Sequence, residues 1–148
     1  MNKRLKYCIN NVLESLNDME KCLKIYNSTD NDDFKQMSIS SIRMSIVMIL
    51  EEYKKIIQIL YKSKSKAITP NDSFLESIKF CMKEGMMPNC DISIFKLLRD
   101  FRNYSCHRYK CPGDKEIIGF CENINVLRGV TEGVKGNNTL TKSNSFDR

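Results

Sequence analysis

Arg102, Asn103 and His107 fall within the short run RNYSCHRY, and His107 is the only histidine in the chain. Cleaving an RNA phosphodiester without a metal needs few parts. A group titrating near neutrality must take the 2′-hydroxyl proton or return one to the leaving oxygen, and histidine does so unperturbed. A fixed cation must stabilise the extra negative charge of the phosphorane, for which arginine offers a forked, permanently charged donor. On a helix wheel at ~100° per residue with Arg102 at zero, Cys106, Arg99, Asn103 and His107 fall within the next ~140°. Leu97, Phe101, Ile94, Leu98 and Tyr109 fall between ~220° and ~340°, with Tyr104 at the border. The spacing therefore predicts a polar arc wide enough to hold a phosphate, backed by an apolar face. Arg108 lies inside the apolar arc near the helix end, where its long stem can reach out to water. A histidine at a helix C-terminus also complements the helix dipole with no chemistry attached.

The element that must position these residues is a helix over Asp91 to Tyr109, the fourth in the chain. It opens on Asp91, a good N-cap, after the Gly85/Pro88/Asn89 break, and closes before Pro112–Gly113. Ahead of it, Leu5, Ile9, Val12, Leu16, Met19, Leu23 and Tyr26 recur at three and four, an amphipathic helix over 3–26. The polar run 27–33 is a turn with N-cap candidates. A long second helix is expected over 34–61, and its middle, Ile39 to Leu50, is apolar on nearly all sides. Such a helix must be covered on all sides, as the centre of a bundle or as part of a dimer interface. Lys62 to Lys66 is a basic loop, either a solvated charge run or part of an RNA-facing rim. A third helix is expected over 73–84, with Phe74, Ile78, Cys81 and Met82 on its core side and Gly85 as its C′ residue. Asp114 can cap a fifth, over 115–130, with Ile117, Ile118, Cys121, Ile124 and Leu127 apolar. These readings give an all-α protein, an antiparallel bundle of four or five helices joined by short loops. The bundle is one domain over residues 1–132, and the Gly/Asn/Ser-rich stretch 133–148 is expected to be a disordered tail.

Composition narrows the class. The chain has 148 residues, a net charge of +6, no tryptophan and three prolines. The positive charge suits a polyanion such as RNA. Seven cysteines are present, an odd number with no CxxC or CxxH spacing and no signal-peptide pattern. They read as reduced thiols of a cytoplasmic protein, with Cys8, Cys22, Cys81 and Cys106 at helical positions suited to a small apolar residue. One histidine and scattered cysteines supply no tetrahedral metal set, so no metal or cofactor is expected. No apolar run approaches the ~18 residues of a membrane span.

The stretch from about Gly85 to Tyr109, GMMPNCDISIFKLLRDFRNYSCHRY, resembles the signature region of the HEPN superfamily. The shared pattern is Arg-x4-His-x-Tyr at Arg102, His107 and Tyr109, with Phe101 before the arginine and Asn103 after it. The likeness is strongest to the HepT-type toxins of HEPN–nucleotidyltransferase toxin–antitoxin modules, and in helical layout it spans roughly residues 3–130. The resemblance implies a homodimer with both motifs around one cleft, acting as a metal-independent endoribonuclease that leaves a 2′,3′-cyclic phosphate. Arg102 would bind the scissile phosphate and His107 would be the acid/base. Asn103 would position the substrate or the histidine, with Arg99, Arg108 and Lys110 gripping RNA. Tyr109 matches the tyrosine that a partner nucleotidyltransferase antitoxin adenylylates to silence the nuclease. Cys106 stands where members commonly carry an aliphatic residue, and Lys110-Cys111-Pro112-Gly113 replaces their acidic continuation. Phage-defence branches of the superfamily share only the arginine–histidine pair. A HEPN bundle that docks a nucleotidyltransferase or a nucleotide without cutting RNA fits the same residues.

Overall fold

Side chains that cap backbone N–H groups set where the helices begin. In a computed structural model, which describes residues 2–64, 73–106 and 113–146 (102–106 and 139–146 by backbone alone), Asn2 Oδ1 accepts from the N–H groups of Arg4 and Leu5 at 2.8 and 3.2 Å. This starts α1, Lys3–Ser28. Asn31 Oδ1 accepts from Phe34 N–H at 3.1 Å and starts α2, Asp32–Ser63. Ser73 Oγ accepts from Glu76 N–H at 3.1 Å and starts α3, Phe74–Lys83. Each relieves donors that a helix N-terminus otherwise leaves unpaired. α4 follows over Ile92–Cys106 and α5 over Asp114–Phe120. A single 3-10 turn, Cys121–Asn123, then leads into α6, Ile124–Phe146.

The chain is all-helical, and its helices pack as an antiparallel bundle. α1 and α2 are joined by a three-residue turn and lie side by side in opposite directions. Gln36, near the start of α2, donates to Asp114 of α5 at 3.1 Å, while Ser63 at the far end of α2 reaches the Met86 sulfur at 3.5 Å. α4 leaves from the Met86 end and brings Phe101 against Phe120 of α5, so it runs against α2. α6 starts beside α5 and passes Thr131 to Asn137, whose amide donates to Gly85 O at 3.3 Å, so it runs with α2. α3 ends in a glycine turn. Gly85 has φ +73°, Gly85 N–H donates to Met82 O at 3.1 Å, and Met86 N–H donates to Cys81 O at 2.9 Å. Both hydrogen bonds satisfy carbonyls that the helix end would leave orphaned, and the positive φ suits glycine alone among residues without strain.

The core takes Leu5, Ile9, Val12, Leu16 and Met19 from α1, and Ile42, Ile46, Ile49, Tyr53, Ile56 and Leu60 from α2. One expectation is corrected here. The mid-section of α2 is not covered all round: Ile39, Ile42, Ile46, Ile49 and Leu50 are buried, but Met44 and Met48 stand 66% and 51% exposed. Helix α6 runs over Ile124–Phe146. Its apolar stripe, Leu127, Val130 and Val134, is buried with Val134 wholly enclosed. One β-branched side chain on the core face, with the Asn137–Gly85 bond, outweighs the poor helix propensity of Gly133 and Gly136.

Five cysteines, Cys8, Cys22, Cys81, Cys90 and Cys121, are free thiols. Burial pushes Cys8, Cys90 and Cys121 up to about 11, and Cys81 up to about 12, so the reactive thiolate is scarce at neutral pH.

Two outcomes follow from this packing. Ending the chain after Glu132 removes Val134 and the Asn137 contact, and should lower unfolding free energy by roughly 2–4 kcal/mol in urea titrations. At about pH 8 the three buried thiols, Cys8, Cys81 and Cys121, should react with Ellman's reagent at least ~10-fold more slowly in the folded protein than in urea.

Candidate functional site

Helix α4 is held at its start by Asp91. The carboxylate accepts from Ser93 N–H at 3.0 Å and from the Ser93 hydroxyl at 2.8 Å. These bonds, the backbone one first, hold the Asp91 carboxyl below the usual carboxylate range. The turn before it places Asn89 at φ 59°, a left-handed value that asparagine tolerates better than most residues.

Aromatic contacts fix the rotation of α4 about its own axis. The Phe95 ring meets the Tyr53 ring edge-on, centroids 4.8 Å apart at 72°, and lies 6.2 Å from Phe74 of α3. Ile94, Phe95 and Leu98 are buried, whereas Leu97, expected on the core side, is 41% exposed. On the wheel used above, the buried arc is ~280° to ~20°, not ~220° to ~340°. The rotation follows from area: Phe95 buries more apolar surface than Leu97, and the Tyr53–Phe74 notch accepts a flat ring.

This rotation changes the frame in which the candidate residues stand. Arg102 comes four residues after Leu98 and seven after Phe95, so its register position falls inside the buried arc, ~20° from its edge, and Asn103 lies ~100° further round. Both belong to the last turns of α4, which ends at Cys106. Their side chains, with those of Tyr104, Ser105 and Cys106, are not among those described; His107, Arg108, Tyr109 and Lys110 lie outside the described residues. Arg99 is described. Its Nη2 and Nε donate to Asp100 Oδ1 at 3.0 and 3.3 Å, a partly exposed ion pair between sequence neighbours. A phosphate would compete with Asp100 for that guanidinium, at small cost, because an exposed pair contributes little.

The surroundings carry their own sign. The C-terminal end of α4 is the end where Gln36 meets Asp114. Asp32 and Asp33 in the first turn of α2, and Asp114 and Glu116 in that of α5, lie there. At the opposite end are Lys3, Arg4 and Lys6 of α1 and Lys62 and Lys64 of α2. The charges are thus sorted along the bundle, and the Arg102–Asn103 end is not its most basic part. Charge at the far end would add little for a phosphate there, since it is screened beyond ~10 Å.

Among the described residues no group of three or more His, Cys, Asp or Glu could hold a metal ion. No helix among them is long and apolar enough to cross a membrane. No protein-family model, curated protein or solved structure matches the chain. Two features of the structure have no counterpart in the sequence reading: Phe95 as the anchor of α4, and the water-facing methionines of α2. The first was hidden by its position at ~20° on the wheel, beside Arg102. The second was legible in principle, as Phe34, Met37, Ser41, Met44 and Met48 are spaced three and four apart.

The rotation can be checked by substitution. Phe95→Ala should cost about 3–5 kcal/mol in unfolding free energy, as large buried aromatics do. Leu97→Gln should stay within roughly 0.5 kcal/mol, as an exposed position does. Equal losses at the two sites would place the core face of α4 elsewhere.

Proposed function

We propose that this chain is a metal-independent endoribonuclease of the HEPN kind, the toxin of a prokaryotic toxin–antitoxin or phage-defence module. The observation that carries the reading is the run Arg102-Asn103-x3-His107-x-Tyr109, which begins in the last turns of the fourth helix of an all-helical bundle. The helical class fits, and α4 is anchored well enough by Phe95 to hold the arginine segment in one place.

The chemistry assigned to the residues balances without a cofactor. Neutral His107 takes the proton of the 2′-hydroxyl, and the 2′-oxygen attacks phosphorus. Arg102 stabilises the phosphorane through paired N–H donors. The 5′-oxygen leaves with a proton, delivered by an imidazolium that a second copy would supply. The products are a 2′,3′-cyclic phosphate and a 5′-hydroxyl end. Asn103 positions substrate or imidazole, and Arg99, Arg108 and Lys110 contact the RNA backbone. Silencing would come from a nucleotidyltransferase antitoxin that joins AMP from ATP to the Tyr109 oxygen and releases pyrophosphate. The added phosphate would then occupy the arginine.

One observation favours a second reading. Asp32, Asp33, Asp114 and Glu116 crowd the same end of the bundle, which suits docking of a basic protein surface better than a polyanion. In that case the chain binds a nucleotidyltransferase and cuts nothing.

Expression in a bacterial host separates the two. The nuclease predicts growth arrest and RNA cleavage for the wild type, and loss of both in His107→Ala and Arg102→Lys. Purified protein should cleave in EDTA, at a rate whose pH profile is bell-shaped and centred between about pH 6 and 7.5, because one imidazole must be neutral and the other protonated. His107→Ala should lower that rate roughly 100-fold or more. Harmless wild type that binds a nucleotidyltransferase tightly would establish the docking module instead.

A further inference from the structure

We propose that the start of α1 and the end of α2 form a second RNA-binding surface, remote from the Arg102 end. Single-stranded RNA lays its phosphates against Lys3, Arg4, Lys6, Lys62 and Lys64 there and stacks a base on Tyr7. This inference deepens the nuclease reading and rests on it for the choice of RNA among polyanions. Phe95 meets Tyr53 and α4 runs against α2, so Arg102 and Lys62 lie seven and nine residues beyond those rings in opposite directions. At ~1.5 Å per residue they stand roughly 24 Å apart along the bundle, more than two screening lengths at ordinary salt. The surface therefore holds a flanking stretch of strand and is no extension of the cleavage site.

The patch is continuous across two helices. α1 and α2 lie side by side in opposite directions, so the first turns of α1 stand beside the last turns of α2. Arg4 of α1 and Lys55 of α2 are both close enough to the Cys8 sulfur for their charges to act on its thiol. Lys62 comes seven residues after Lys55, on the same face of α2. On a wheel of α1 with Lys3 at zero, Tyr7 falls at ~40°, Arg4 at ~100° and Lys6 at ~300°, whereas Leu5, Ile9 and Val12 of the core lie between ~180° and ~240°. The five cations are exposed, and the Tyr7 ring stands 67% exposed among them. Among the described residues no ion pair neutralises any of the five. The first acid along α1 is Glu14, two turns beyond Tyr7.

Folding gives no reason for this charge. The first turn of a helix favours carboxylates, because the helix dipole puts partial positive charge there. α2 follows that rule with Asp32 and Asp33, α3 with Glu76, and α5 with Asp114 and Glu116. α1 has no acid in its first turn and begins on Lys3, Arg4 and Lys6 instead. The cations repel one another and the dipole, and phosphates laid against them would relieve both terms.

Charge and shape select a strand over an anionic bilayer. A surface that lies on a membrane sets its cations along the margins of an apolar face. Here the exposed methionines of α2 lead away from the cations, past Asp18 beside Met44 and on to Asp32 and Asp33. Seating that stripe on anionic headgroups would press those carboxylates against like charge. A single strand needs no apolar face. Cations take its phosphates, and one exposed ring takes a base of any identity.

The test is fluorescence anisotropy of the full chain with a labelled 2′-O-methyl oligoribonucleotide of about twelve nucleotides. Such a strand lacks the 2′-hydroxyl that cleavage needs, so binding is read alone. The wild type should saturate below ~100 µM protein at about 50 mM salt and weaken steeply as salt is raised. Lys3→Gln, Lys6→Gln, Lys62→Gln and Lys64→Gln combined should weaken binding at least ~10-fold and flatten the log–log salt slope by about 3, with an unchanged helical circular-dichroism spectrum. Tyr7→Ala should weaken binding at least ~5-fold at an unchanged salt slope, whereas Tyr7→Phe should bind like the wild type. Unchanged affinity and slope in the four-site variant overturn the proposal, as does a Tyr7→Ala protein that binds like the wild type. A wild type that binds phosphatidylserine vesicles and not the oligonucleotide overturns it as well. Binding that depends on these residues in a chain that cleaves no RNA would sink the nuclease reading and leave this surface standing, so the two failures are distinguishable.

Discussion

Tyr53 is the point through which four helices of this bundle are tied. Its hydroxyl shares a 2.5 Å hydrogen bond with Thr131 of α6, and Thr131 in turn donates to Leu127 O at 2.7 Å. Its ring receives Phe95 of α4, and Phe95 meets Phe74 of α3. The phenol is fully enclosed, and burial pushes its ionisation far above the ordinary tyrosine range. A polar atom so placed must be hydrogen-bonded or it costs the fold heavily, so Thr131 is not free to drift. The hydroxyl thus sets the height of α6 against α2, while the ring sets the rotation of α4. One side chain constrains both.

That rotation governs what α4 can offer. With Phe95, Leu98 and Ile94 turned inward, the water-facing side carries Lys96, Leu97 and, in part, Arg99 and Asp100. The register position of Arg102 falls inside the buried arc, near its edge, instead of standing opposite it. An arginine at such a margin can lay its stem on apolar surface and present the guanidinium at the helix end. This geometry differs from a phosphate-sized arc on an open face. It places the candidate chemistry at the tip of α4 and in the chain that follows, not along the flank of the helix. The candidate function then depends on how residues after Cys106 continue from that tip.

Much of the scaffold was legible before any coordinates. Heptad-like recurrence of Leu5 through Met19 gave α1, the Asn27–Asp33 run gave the turn, and Gly85 announced the end of α3 by the one conformation only it adopts freely. Two things were not. Phe95 was left out of the core face because a wheel weighs every apolar residue alike, whereas the fold favours the side chain with the larger area and a matching notch. In α6, Gly133, Gly136 and the asparagines depress local propensity, and propensity yields where Val134 finds a core to enter. The candidate site was legible only as a motif. Arg102 and Asn103 belong to a described helix, but nothing in the packing of described residues required an arginine or a histidine there, so the site reading still stands on residue types and spacing.

The two sides of α2 explain why its middle reads as greasy all round. A helix that contributes one face to a core needs about a third of its circumference apolar, and α2 has more than that. The inner face spends Ile42, Ile46, Ile49 and Tyr53 on α1, α4 and α6. The outer face retains Phe34, Met37, Met44 and Met48, which stand exposed among the described residues. Side chains of that size left in water impose a solubility cost that folding alone gives no reason to bear, since lysine or glutamate would serve at those positions without disturbing the core. The excess is confined to positions three and four residues apart along one stripe of the helix.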